Sequence, residues 1–171
     1  LPIVKDFNAI FTNPNKSRIF LGKQIINAAK KLQVICTAST GTNHIEVGCA
    51  ARKGIKILSL TEERDIINKI SSTAEHAFAL TMTSLRQIIN GHFDVLEGNW
   101  DYEKFIGHQM NGLTVGVIGY GRLGSLYANY CLAFGSRLIV YDPYKNVDHD
   151  MIEQVNNVKQ LLLESDIISF H

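Results

Sequence analysis

Apolar positions along the chain switch between two periods. Three short runs, AIFTN at 9–13, VICTAS at 34–39 and IKILSL at 55–60, are apolar or β-branched and end in turn residues, as strands do. Between the first two, GKQIINAAKKL at 22–32 carries Ile25, Ile26, Ala29 and Leu32 at helical spacing. TGTNHIEVGCAARKG at 40–54 adds a short helix closed by Gly54. Strands alternating with helices predict βαβ units and a parallel sheet.

From residue 72 the period becomes purely helical. SSTAEHAFALTMTSLRQIINGH places Ser72 three residues before Glu75, a capping box in which hydroxyl and carboxylate each accept a bond from an unpaired amide. Ala74, Ala77, Phe78, Leu85, Ile88 and Ile89 then recur on one face, and Gly91 offers a stop. A helix of this length predicts a connection between two domains. FDVLEGNWDYEKFIGHQMNG at 93–112 is weakly periodic and reads as a crossover.

TVGVIG at 114–119 is a continuous run suited to a strand buried on both faces. Gly119, Gly121 and Gly124 follow at G-x-G-x-x-G spacing; Leu123, Leu126, Tyr127, Tyr130, Ala133 and Phe134 form a helical stripe, and Gly135 ends it. RLIVYD at 137–142 is the next strand, with Asp142 at its tip, 18 residues beyond Gly124. Strand, glycine turn, helix, strand and terminal acid in this order specify a dinucleotide site. The first glycine lets the chain turn out of the strand, the second clears the approach to a pyrophosphate, and the third lets helix and strand pack closely. The amides of Arg122 and Leu123, in the first helical turn, are expected to face the phosphates, where the helix dipole favours negative charge. Asp142 is expected to accept bonds from the adenosine ribose hydroxyls and to repel a 2′-phosphate, which favours NAD; Lys145, three residues on, leaves NADP open. A turn made only for tight packing, with Asp142 a turn former before Pro143, is the plainer alternative. A methyltransferase loop also resembles this pattern but does not need a third glycine.

Composition narrows the class further. The 171 residues are 46% hydrophobic and carry 17 basic and 16 acidic side chains, a net charge of +1 with no basic cluster, which disfavours nucleic-acid binding. No run of about 18 apolar residues suggests a membrane span. Cys36, Cys49 and Cys131 are odd in number and lack C-x-x-C spacing, as expected of reduced thiols in a cytoplasmic protein. Of the six histidines, His44 lies in a loop, His76 in the capped helix, and His92, His108 and His149 in expected surface turns; none shows metal spacing.

LQVICTASTGTNHIEV, ARKGIKIL, STAEHAFAL, MNGLTVGVIGYGRLG, IVYDPY and LLLESDIISFH occur in an order that resembles the D-isomer-specific 2-hydroxyacid dehydrogenases, over nearly the whole chain. The resemblance implies an α/β protein with a partial flavodoxin-like substrate domain at 1–75. It implies the first half of a Rossmann-type, parallel-sheet NAD domain at 76–171, including the interdomain helix, with an active site in the cleft between domains. It implies that amides of Ser39, Thr40 and Gly41 hold the carboxylate of a small 2-hydroxy or 2-keto acid, that Thr73 lies near the nicotinamide and that His171 borders the cofactor. It also implies a homodimer paired through its cofactor domains, the crossover from Phe93 to Phe105 with Trp100 being a candidate interface; packing of that crossover on its own domain is the alternative.

The arginine, carboxylate and histidine of the family's chemistry lie in segments that follow the match to SDIISFH. This chain stops at His171, so no catalytic residue is assigned, and the sequence is expected to be roughly the middle half of a longer enzyme and inactive alone. An NAD(H) sensor without efficient turnover, on the same fold, is the alternative function.

Overall fold

The computed structural model describes residues 3–16 and 18–171, and the chain divides into two compact units, Leu1–Lys69 and Ile70–His171. The first unit holds strands β1 (Ala9–Thr12), β2 (Val34–Thr37) and β3 (Lys56–Leu58), all parallel in that order. Helices α1 (Lys23–Ala28), α2 (Val47–Arg52) and α3 (Arg64–Ile67) accompany them. The expected stripe of 22–32 is helical only over its first half, yet Ile26, Ala29 and Leu32 are all buried, together with Leu21, Ile35, Ile45, Cys49, Ala50 and Ile55. Gly54 closes α2 at φ +68°, a conformation that costs other residues strain.

The second unit opens with α4 (Ser72–Leu85) and α5 (Ile88–Leu96). The expected capping box does not form: the N-cap is Ser71, and its hydroxyl donates to the Glu75 carboxylate one full turn away. Nor does one helix run to Gly91. The chain breaks at Gln87, which has left-handed φ of 50°, and Gly91 lies inside α5, against the Phe105 ring. The His108 amide takes over the Leu85 carbonyl at 3.1 Å, and a side chain at Gly107 would collide with that same carbonyl, so the returning segment caps α4 where Gly107 lets it approach. The crossover is therefore partly helical, and His92 belongs to α5 rather than to a turn.

Strands β4 (Thr114–Ile118), β5 (Arg137–Tyr141), β6 (Ile152–Gln154) and β7 (Ile167–Phe170) form a wholly parallel sheet of order β6-β5-β4-β7, with α6 (Arg122–Ala133) and α7 (Val158–Glu164) as connections. The alternation of β4 and β5 sorts the core. Val115, Val117, Leu138 and Val140 pack with Ala74 of α4 and with Tyr127, Ala128 and Cys131 of α6. Ile139 packs on the opposite face with Val155 and Leu161 of α7. Gly116 points to α7, where any side chain would strike Ser165 and Leu161, so the helix lies directly on the sheet. Arg137 ties this sheet to α7 from outside by pairing with Glu153 at 2.7 Å and Glu164 at 2.8 Å. No helix among the described residues is long and apolar enough to cross a membrane.

Candidate dinucleotide site

Strand order decides where a ligand fits the second unit. From β4 the sheet grows to β5 and β6 on one side, then returns to add β7 on the other. The strand order therefore switches between β4 and β7, and ligands of such sheets bind in the crevice at the carboxyl ends of the strands at that point. Gly119 and His171 are the residues that leave those two ends, and the His171 amide donates to the Ile118 carbonyl at 2.9 Å.

The three glycines of the turn have distinct surroundings. Gly119 has φ +91°, and a side chain there would run into the His171 carbonyl. Gly124 is buried in the first turn of α6, where a Cβ would meet the Gly119 carbonyl oxygen head-on and lie 3.4 Å from the His171 Cβ. Gly121 is the exception, because no atom lies within 4 Å of where its Cβ would be. It is the N-cap of α6 and supplies no side-chain bond to the first helical turn, where Arg122 and Leu123 lie. A backbone cleared of side chains at the positive end of a helix fits a pyrophosphate. The Arg122 guanidinium turns back and donates to the Ile70 carbonyl.

Asp142 lies at the tip of β5, half-buried, and its carboxylate braces the turn. One oxygen accepts the Tyr120 amide at 2.8 Å and the other the Tyr144 amide at 2.8 Å. The Tyr144 amide, with help from the Tyr120 amide and Lys145 and against some desolvation, holds the carboxyl below its ordinary value, so it is ionised at neutral pH. Two bonds leave about two of the four acceptor directions of a carboxylate for ribose hydroxyls. Lys145 is engaged elsewhere: its ammonium donates to the Tyr120 carbonyl at 3.1 Å and lies 5.7 Å from the centre of that ring. Tyr120 thus links glycine turn, acid and lysine, a role that its place between two glycines does not disclose.

Thr73 is exposed in the first turn of α4, two residues beyond Ser71. His171 is half-buried; its Nε2 lies 2.8 Å from the Ser169 Oγ, and its ring packs 5.2 Å from that of Tyr127. Burial pushes the imidazole below its ordinary value, which keeps it neutral. The structure thus gathers Gly119, Gly121, Arg122, Leu123, Gly124, Asp142 and His171 around one strand edge.

The first unit has its own loop at the carboxyl end of β2. Its carbonyls are occupied: Ser39 by the Leu60 amide at 3.1 Å, Thr40 by the Thr61 hydroxyl at 2.6 Å and Gly41 by the Ser39 hydroxyl at 2.7 Å. Among the described residues no bond from the amides of Ser39, Thr40 or Gly41 reaches a protein acceptor. A loop fastened by its carbonyls, with these N–H groups making no bond to a protein acceptor among the described residues, is suited to a carboxylate. His44 pairs through Nε2 with the Thr37 hydroxyl at 3.1 Å, not with a carboxylate that would tune it as a base.

Comparison with known proteins agrees with this geometry. The NAD binding domain of the D-isomer specific 2-hydroxyacid dehydrogenases matches residues 78–171, and the catalytic domain of the same family matches residues 1–96. The chain belongs to this family. Its second unit accordingly carries the family's NAD-binding domain. A D-3-phosphoglycerate dehydrogenase of Archaeoglobus fulgidus is 34% identical over 91% of this chain and 29% of its own length. A hydroxypyruvate reductase of Thermotoga maritima is 36% identical over 86% of this chain and 46% of its own. The D-lactate dehydrogenase of Aquifex aeolicus, solved with NAD and lactic acid, superposes with a TM-score of 0.85 at 30% identity over 99% of this chain and 49% of its own. The chain thus spans less than half the length of each of these proteins.

Proposed function

We propose that this chain is part of a cytoplasmic, NAD-dependent dehydrogenase that moves a hydride between nicotinamide and C2 of a small D-2-hydroxy or 2-keto acid. The observation that carries the reading is the glycine turn at the strand-order switch, with a helix N-terminus that begins on Gly121 on one side and an amide-braced Asp142 on the other. The domains we assign are a substrate domain at 1–75 and a cofactor domain at 76–171.

In this reading the amides of Arg122 and Leu123 bind the pyrophosphate across the clearance left by Gly121, while Gly119 and Gly124 shape the turn. The Asp142 carboxylate orients the adenosine ribose, Thr73 lies towards the nicotinamide and His171 walls the site. When bound, NAD supplies the hydride acceptor at C4 of its nicotinamide; the protein's part is to bind, orient and exclude water. The amides of Ser39, Thr40 and Gly41 hold the substrate carboxylate. No described residue is assigned as acid or base.

Titration of the purified protein with reduced dinucleotides tests the cofactor assignment. NADH is expected to bind at least about fivefold more tightly than NADPH, since a 2′-phosphate beside Asp142 is a like-charge contact worth on the order of 1 kcal/mol or more even when screened. Equal affinity, or no binding of either, overturns it.

We further assign a homodimer paired through the cofactor domain. Ile88, Ile89, Phe93 and Leu96 of α5, with Trp100 and Tyr102 beyond it, leave large apolar surfaces exposed, Trp100 to 85%. Trp100→Glu is expected to turn the dimer into a monomer in light scattering at micromolar concentration. A monomeric wild type, or a variant that remains dimeric, removes the assignment.

A further inference from the structure

We propose that Tyr127 is a positioning residue for the dinucleotide turn, acting through the His171 ring that it supports. The proposal rests on the reading of that turn as the NAD site. Tyr127 is wholly buried in α6, one helical turn beyond Leu123. Its hydroxyl lies 2.8 Å from the Thr81 Oγ1 in α4, and Thr81 spends its own proton on the Ala77 carbonyl at 3.0 Å. The bond to Thr81 fixes the phenol end of the Tyr127 ring. Burial pushes that phenol up to about 12, with Cys131 adding to the shift and the bonds of Thr81 and Ser169 opposing it, so it stays neutral.

The other end of this arrangement is the site. The Tyr127 ring packs on His171 with centroids 5.2 Å apart and planes tilted by 43°, while Ser169, two residues back along β7, holds the Nε2 at 2.8 Å. His171 is thus fixed at three points: ring face by Tyr127, ring nitrogen by Ser169, and amide by the Ile118 carbonyl. Its carbonyl abuts Gly119, and its Cβ backs Gly124. A displaced His171 would move the floor on which both glycines rest. Filling the core needs no phenol at position 127, since an aliphatic side chain would occupy it without a hydroxyl to satisfy. The Thr81 bond fastens α6 to α4, and the face of the ring sets the position of His171.

The test separates fastening of α4 to α6 from positioning of His171. Tyr127→Phe removes the Thr81 bond and keeps the ring; Tyr127→Leu removes both. NADH affinity is read by fluorescence, stability by thermal melting, and the His171 ring by its proton–carbon resonances, which the Tyr127 ring current shifts. Tyr127→Phe is expected to melt earlier yet bind NADH within about twofold of wild type, with the His171 resonances still shifted. Tyr127→Leu is expected to bind about three- to tenfold more weakly, the range an aromatic pair supplies, with those resonances relaxed to ordinary positions. Ser169→Ala, which leaves the buried core intact, is expected to weaken NADH in the same direction without an earlier melt, and it keeps the test open if Tyr127→Leu does not fold. Affinity that follows melting temperature through the series, or His171 resonances that do not move in Tyr127→Leu, overturns the positioning role alone. A wild type that does not bind NADH overturns the site reading and this proposal with it.

Discussion

Gly124→Ala is expected to destabilise the protein by about 1–3 kcal/mol, although alanine at a helical position otherwise gains about 1 kcal/mol over glycine. The sign is set by what the new methyl meets. It would press on the Gly119 carbonyl oxygen, a backbone atom, and neither partner can yield cheaply. Gly119 is held by the hydrogen bond that its N–H donates to the Tyr141 carbonyl at 2.9 Å, and α6 is held by the fully buried Tyr127, Ala128 and Cys131. The helix must therefore lift from the sheet, opening space beneath three core side chains. Urea denaturation should show an earlier midpoint at unchanged slope, with NADH binding weakened at least tenfold. Gly121→Ala is the matching control. Its methyl meets nothing within 4 Å, so stability should stay within about 1 kcal/mol, the usual range at an N-cap, while NADH binding is lost. The pair separates two functions of glycine within four residues. A Gly124→Ala protein as stable as wild type removes the close-packing argument, and a Gly121→Ala protein that binds NADH normally removes the phosphate argument.

The contrast between these glycines marks how far the sequence could be read. The order strand, glycine turn, helix, strand and acid is local and periodic, so β4, α6 and β5 lie within a residue or two of their expected places. The same holds for β1, β2 and β3, whose apolar runs are short and bounded by turns. The helix after residue 70 stops without a glycine signal, so its end is not legible in the local sequence. Gln87 adopts a left-handed conformation, and Gly107, some 20 residues later, returns to supply the cap through His108. No window of local sequence contains both ends of that contact. Strand β6 has three residues and α7 seven, lengths at which propensity carries little weight. At the site, Asp142 was legible by spacing, whereas its two amide partners depend on how the turn folds back over it. Tyr127 counts in the sequence as one apolar member of a stripe; only the fold brings Thr81, 46 residues earlier in the chain, to its hydroxyl.

Asp142→Asn is expected to weaken NADH binding at least about tenfold and to erase most of the preference over NADPH. An amide side chain presents one acceptor and one donor end, so it can satisfy the Tyr120 or the Tyr144 amide but sets an NH2 group against the other. Hydrogen bonds to charged groups contribute about 1.5–3 kcal/mol each, and partial solvent exposure brings the expected loss of stability to about 1–2 kcal/mol. The pH dependence follows from the sign of the shift. The Asp142 carboxyl is held below its ordinary value in the folded protein, chiefly by the Tyr144 amide, so its contribution is complete above the unfolded value near pH 4 and is lost as pH falls through the lower folded one. Wild-type stability should therefore carry a component that declines below about pH 4 and is missing from Asp142→Asn. In this assignment Asp142 sets the preference, and Lys145, whose ammonium donates to the Tyr120 carbonyl and lies near that ring, does not. Lys145→Ala should accordingly leave the NADH-over-NADPH ratio close to wild type, whereas Asp142→Asn collapses it. A ratio that instead follows Lys145 and ignores Asp142 would reverse the assignment of which residue reads the ribose.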